Sequence, residues 1–97
     1  MIDKKQIEKR VDAGVKLLNK YDKHWRDKII IRDLKMDDPC HCILGQLFDT
    51  EFPNGFNAGL MRLDILYPGR YGFDIKAFDS YAALKKEWIR RIKERKK

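Results

Sequence analysis

Two stretches at opposite ends of this chain place apolar side chains at alternating three- and four-residue intervals, and that spacing commits both ends to helices. In the first, Ile7, Val11, Gly14, Val15 and Leu18 fall on one face, the signature of an amphipathic helix whose apolar side needs a partner. Asp3 followed by Gln6 resembles a capping box, so the expected helix runs from Lys4 to Lys20. Gly14 sits on its apolar side, where it weakens the helix unless another backbone packs closely there. In the last stretch, Tyr81, Leu84, Trp88 and Ile92 repeat the pattern, and Asp79 or Ser80 supplies the cap.

Between them, Asp38-Pro39 is a helix start signal, because proline's missing N–H would be unpaired in the first turn anyway. Cys40, Ile43, Leu44, Leu47 and Phe48 then form an apolar stripe, predicting a central helix from Pro39 to Thr50 with little polar surface. Pro53-Asn54-Gly55 marks a turn. Asn57 is expected to cap a third helix reaching Leu66, with Leu60, Met61 and Leu63 inward. Tyr67-Pro68-Gly69-Arg70 has proline and glycine at the central positions of a type II turn, and Tyr71-Gly72-Phe73-Asp74 reads as a connector. The segment from Asp22 to Asp38 stays open between a helical turn around Trp25 and a β-branched run at Ile29-Ile30-Ile31. The expected fold is all-α (mainly helical): a compact three- to four-helix domain spanning residues 1–97, with the central apolar helix inside and room for a short extended piece at Ile29 to Ile31.

At 97 residues, with 43% apolar and 11% aromatic side chains, the chain can fill one modest core, and disorder is not expected. Cys40 and Cys42 are one residue apart and can close no useful disulfide loop, which points away from an oxidising compartment. No uncharged run approaches the roughly 18 residues of a membrane span, and Met1-Ile2-Asp3-Lys4-Lys5 lacks the apolar stretch of a secretory signal. A soluble cytoplasmic protein is expected.

Charge is unevenly distributed. Residues 1–35 hold 11 Lys/Arg against 6 Asp/Glu, residues 36–80 hold 3 against 7, and residues 81–97 hold 8 against 2, for a net +7. If the basic ends share one side of the fold, the surface is dipolar. Two rows stand opposite the apolar stripes: Lys5, Lys9, Lys16 and Lys20 on the first helix, and Lys86, Arg90, Lys93 and Lys97 on the last.

Several chemistries can be weighed against simpler readings. Cys40-His41-Cys42 with His24 supplies four zinc donors in number. Cysteines two apart on a helix diverge by about 200°, so buried thiols at a helix start are the preferred reading. The helix N-terminus could lower the Cys40 pKa, but its place on the stripe with Ile43, Leu44 and Leu47 predicts a buried, inert thiol. One serine, Ser80, and one threonine, Thr50, leave no Ser-His-Asp arrangement. Asp64 with Asp74-Ile75-Lys76 faintly resembles a metal-dependent nuclease set, a combination common by chance in so charged a chain. A helix-turn-helix reading would put the Asn57 to Leu66 helix in a major groove, yet that helix has Arg62 as its one base, balanced by Asp64. No catalytic residue, metal or cofactor is assigned.

The run Cys40-His41-Cys42-Ile43-Leu44-Gly45-Gln46-Leu47-Phe48 resembles the central motif of small proteins of uncharacterised activity encoded by phages, prophages and some bacteria. The likeness extends to Gly14-Val15-Lys16-Leu17-Leu18, Trp25, the Leu34 and Met36 region, Tyr71-Gly72-Phe73-Asp74 and the Tyr81, Leu84, Trp88 spacing. It implies an intracellular phage or mobile-element setting and transfers no activity. The motif also reads as packing, with Gly45 permitting close approach and Gln46 a buried polar group bonding neighbouring backbone.

The expected function is therefore that of a non-enzymatic accessory protein acting through protein contacts, on an acidic host or phage partner, with the two basic rows as its surface, helped by exposed aromatics near Phe52, Phe56, Tyr67 or Tyr71. The alternative is weak, sequence-tolerant nucleic-acid binding by the same lysine and arginine faces.

Overall fold

In the computed structural model, which describes residues 4–49, 54–76 and 80–94, the terminal helices form where the spacing put them. Helix α1 spans Lys4–Tyr21 and buries Ile7, Val11, Gly14, Val15 and Leu18. The last helix spans Tyr81–Lys93; the Ser80 hydroxyl caps it by accepting from the Ala83 N–H at 3.0 Å. Leu84, Trp88 and Ile92 are inward, while Tyr81 stays 37% exposed. Two short helices lie between, α2 at Ile43–Leu47 and α3 at Gly55–Arg62, making the last helix α4. Among the described residues the fold is all-helical, with no strand, and its Cα radius of gyration of 12.2 Å matches a compact chain of this length. No helix among the described residues is long and apolar enough to cross a membrane.

Several local expectations are corrected. Helix α2 covers only the middle of the predicted Pro39 to Thr50 segment; Thr50 lies outside the described residues. Asp38 does not cap it. Its carboxylate accepts from the Cys40 N–H at 2.8 Å, and its carbonyl accepts from the N–H groups of His41 and Cys42, closing a turn before the helix. That turn folds back over Gly45, where a Cβ would fall 2.6 Å from the Pro39 carbonyl oxygen. The cap is instead Cys42, whose sulfur accepts from the Gly45 N–H at 3.3 Å.

Helix α3 starts at the Asn54 cap, not at Asn57, because the Asn54 side chain accepts from the Asn57 N–H at 2.9 Å. It ends at Arg62 rather than Leu66. Asp64 takes a left-handed backbone at φ 56°, and the Ile65 N–H returns to the Leu60 carbonyl at 2.8 Å, the Schellman closure usually made with glycine. Met61, expected inward, is 75% exposed.

The Pro68 turn is a 3₁₀ turn over Pro68–Tyr71, and the left-handed residue is Gly72 at φ 72° rather than Gly69. The undecided segment after α1 resolves into two 3₁₀ turns, Trp25–Lys28 and Ile31–Asp33, with no strand at Ile29 to Ile31. Its backbone finds a partner in Gln46, which accepts from the Ile30 N–H at 2.7 Å and donates to the carbonyls of Ile30 at 3.2 Å and His41 at 3.1 Å. The polar reading of that glutamine holds, although its side chain is half-buried rather than buried.

Three aromatic rings organise the core. Trp88 stacks on Phe73 at 5.4 Å and meets Trp25 edge-on at 5.8 Å, geometries favoured by the ring quadrupoles. Both indole N–H groups are satisfied: Trp88 donates to the Gly72 carbonyl at 2.6 Å and Trp25 to the Asn19 side chain at 2.8 Å. The expected close approach at Gly14 is present, since a Cβ there would collide with the Tyr71 carbonyl oxygen and press on the Trp88 ring.

Candidate functional site

Helices α1 and α4 lie side by side, and their pairing determines what the basic rows can do. Lys4 and Glu8 face Ala83, Lys86, Glu87 and Arg90, whereas Asp12 and Asn19 face Arg91 and Glu94. The two helices therefore run in the same sense. Their acids and bases interlock along the seam: Arg91 donates to Asp12 at 3.1 Å, and Arg26 reaches across to the Arg91 carbonyl at 3.0 Å. Hydrogen bonds from Lys16 and Arg91 hold the Asp12 carboxyl below its usual range.

Near the N-terminal ends, a groove of about 670 Å³ opens between the helices, a size typical of ligand clefts. Ile7, Ala83 and Ile89 contribute apolar floor, and Lys4, Glu8, Lys86, Glu87 and Arg90 stand around it. Glu87 is 9% exposed and grips Arg90 with both carboxylate oxygens, at 3.0 and 2.6 Å. That pairing raises the Arg90 pKa further above its ordinary value, and Arg90 also reaches Glu94 at 3.3 Å. Arg90 is consequently occupied within the fold. Lys4 and Lys86, by contrast, are exposed and form no ion pair among the described residues.

The predicted rows divide in the same way. Lys16 is paired with Asp12 at 3.1 Å; Lys5, Lys9, Lys20, Lys86 and Lys93 are exposed and form no such pair among the described residues. Lys97 lies outside the described residues. The groove brings Lys86 and Arg90 of the second row beside α1, and Lys5 and Lys9 continue along the exposed side of that wall. Of the aromatics expected to assist, Phe56 and Tyr71 are half-buried against the core, Phe52 is not described, and Tyr67 is 62% exposed with Arg70 over its ring at 5.1 Å.

Sequence reasoning missed Lys4, Glu8, Ala83, Glu87 and Ile89 as groove residues. Two spacings carried the signal: Lys4 and Glu8 one turn apart, and Glu87 three residues before Arg90, the distance at which helix side chains meet.

Two other cavities compete less well. One of about 750 Å³, lined by Asp12, Lys16, Asn19, Lys23, Arg26 and Arg91 among others, is mostly a seam of paired charges, Asp12 with Lys16 and Arg91 and Arg91 with Glu94, with Arg26 also 4.7 Å above the Trp25 ring; Lys23 there is exposed. Another of about 150 Å³ lies between Met36, Asp37, Cys42, Phe56, Asp74 and Tyr81. Desolvation first, then the neighbouring Asp74 carboxylate, raises the Tyr81 pKa there. The cysteine expectation is reversed in part: Cys42 is the buried thiol, pushed up to about 11 by its burial, while Cys40 is exposed. Cys40 leaves the apolar stripe because it belongs to the Asp38 turn and not to the helix. Among the described residues, no three His, Cys, Asp or Glu side chains converge as metal ligands.

No family model matches the chain, and no curated protein or solved structure is significantly similar to it.

Proposed function

We propose that this protein is a non-enzymatic accessory module, of the phage type its central motif resembles, that works in the cytoplasm by docking an acidic protein partner on the α1/α4 face. The observation that carries this reading is the groove whose apolar floor is flanked by Lys4 and Lys86, two ammonium groups with no carboxylate of their own among the described residues. An apolar floor with a charged rim is the anatomy of a protein contact. Phosphate-backbone binding needs only the charge. The elements behind the face support the same reading, since α1 holds six Lys/Arg against two Asp/Glu and α4 five against one. Such an excess speeds encounter with an acidic surface and makes it sensitive to salt.

The test compares partners by fluorescence anisotropy at two salt concentrations: a Glu/Asp-rich peptide, and single- and double-stranded DNA and RNA. The reading requires saturable peptide binding that weakens severalfold when Lys5, Lys9, Lys86 and Lys93 are replaced together by glutamate. Tighter binding to duplex DNA, with a log–log salt slope of about −0.9 per phosphate contact, would establish the nucleic-acid alternative instead.

A further inference from the structure

We infer that Asn54-Gly55 is a self-modification site: Asn54 loses its side-chain amide through a cyclic imide when the start of α3 opens, and the folded cap holds that reaction back.

Of the three asparagines, Asn19, Asn54 and Asn57, only Asn54 precedes a glycine. The reaction requires the backbone nitrogen of the next residue to attack the side-chain carbon. A new bond from the Gly55 nitrogen to Asn54 Cγ closes a five-membered ring with Cβ, Cα and the carbonyl carbon of Asn54. The peptide N–H proton passes to the departing amide, and the Cγ–Nδ2 bond breaks to release ammonia. Water then opens the ring at one of its two carbonyls. One product is aspartate; the other is isoaspartate, whose backbone runs through the side-chain carbons. Water is the sole co-reactant, and nothing is oxidised or reduced.

Glycine obstructs this attack least, because it has no Cβ and the widest choice of backbone angles. Its nitrogen is also chemically available: Gly55 is the first residue of α3, and an N–H in the first helical turn has no carbonyl one turn back to bond.

The fold opposes closure on both sides of that peptide. The Asn54 side-chain oxygen accepts from the Asn57 N–H at 2.9 Å, and its backbone carbonyl accepts from the Ala58 N–H at 2.9 Å. The Asn54 backbone is extended, at φ −164° and ψ 166°. Closing the ring rotates ψ and draws Cγ back onto the peptide, so both bonds must break. Gly55 itself is buried so closely on α2 that a Cβ would fall 2.3 Å from the Gly45 carbonyl oxygen, and the adjoining Phe56 N–H donates to the Pro39 carbonyl at 2.9 Å. The reaction therefore waits on opening of the α2/α3 contact, a local event distinct from global unfolding. The products differ in consequence. Aspartate keeps the cap and adds a favourable charge at the helix start, whereas isoaspartate displaces Gly55 from Gly45 and unseats α3.

The experiment incubates the full chain at one mildly alkaline pH and temperature, in native buffer and in denaturant, and follows each asparagine by peptide mapping and mass spectrometry. In denaturant, Asn54 should convert to the acid about tenfold or more faster than Asn19 and Asn57, reflecting the freedom of its glycine neighbour. In native buffer it should convert about tenfold or more slowly than in denaturant, the protection expected of a closed contact. Gly59→Ala, whose methyl would fall 2.9 Å from the Phe48 ring at the α2/α3 contact, leaves Asn54 and Gly55 untouched and should raise the native rate at Asn54 severalfold while Asn19 stays unchanged. If that variant does not fold, urea below the global transition serves instead, and the Asn54 rate should rise before the transition begins. Conversion of Asn54 no faster than that of Asn19 and Asn57 in denaturant would remove the site. Equal Asn54 rates in the folded and denatured chain would overturn protection by the cap. A rate that rises only with global unfolding, or stays unchanged in a folded Gly59→Ala protein of lowered stability, would overturn opening of α3 as the gate.

Discussion

Gly14 shows how one missing side chain lets two segments meet. Replacing an interior helical glycine by alanine ordinarily stabilises by about 1 kcal/mol. Here the added methyl meets the Tyr71 carbonyl oxygen and the Trp88 ring at 3.1 Å, and overpacking of that kind costs about 1–3 kcal/mol. Backbone cannot move aside as a flexible side chain can, so the collision wins. Gly14→Ala is expected to lower stability by about 2 kcal/mol, read as a lower denaturation midpoint at unchanged m-value. The thiols give a second prediction at this scale. Cys42 has its pKa raised from 9.0 to about 11 by burial, so the folded state holds its proton more tightly than the unfolded state. Stability from this group is complete below pH 9, falls as pH rises toward 11, and the loss approaches about 3 kcal/mol. Chemical denaturation between pH 8 and 11 should show that decline, and Cys42→Ala should flatten it. At pH 8 a thiol reagent should modify the exposed Cys40 quickly and leave Cys42 unreacted in the native protein; equal rates would contradict this burial.

Helix α2 is too short to stand alone, since isolated helices need about 12–15 residues even with favourable sequences. It persists because its neighbours close around it. Gln46 ties it to the 3₁₀ segment by three hydrogen bonds, and Cys42 caps its start. Gln46→Ala should cost about 2 kcal/mol, roughly the net worth of these bonds at a site water can partly reach. Gln46→Glu should recover little, because a carboxylate keeps the acceptor for Ile30 N–H but faces two carbonyls that need donors. Thermal melts of the three proteins check this order.

The same element explains what sequence could and could not reveal. The stripes of α1 and α4 are long enough for periodicity to find them within a residue or so, and Ser80 announces its cap. Around α2 the signals were genuine but local. Asp38-Pro39 does begin a turn; whether that turn continues as helix depended on the backbone folding over Gly45, a tertiary contact that no spacing records. Likewise the sequence marks Pro53-Asn54-Gly55 as a turn and offers Asn57 as the cap, and only the structure moves the cap to Asn54. The basic rows were legible as rows, but their function depended on partners elsewhere in the chain: Arg90 is engaged by Glu87 and Lys16 by Asp12, while Lys4 was absent from the rows altogether.

Across the whole molecule, the charge layout and the groove make a single claim. Two basic helices lie side by side, and the acids of the central segments Asp37, Asp74 and Asp38 sit among α2, α3 and the start of α4. Raising salt from 0.05 to about 0.5 M shortens the Debye length from about 14 to about 4 Å, so acidic docking should weaken strongly while the buried aromatic core is left intact. The most direct test is a two-dimensional amide NMR titration of the labelled protein with the Glu/Asp-rich peptide. Shifts should concentrate at Lys4 to Lys9 and Ala83 to Lys93 and need severalfold more peptide to saturate when Lys5, Lys9, Lys86 and Lys93 are replaced together by glutamate; shifts centred on Asp37, Cys42, Phe56 and Tyr81, or spread evenly over the surface, would contradict docking at the α1/α4 groove.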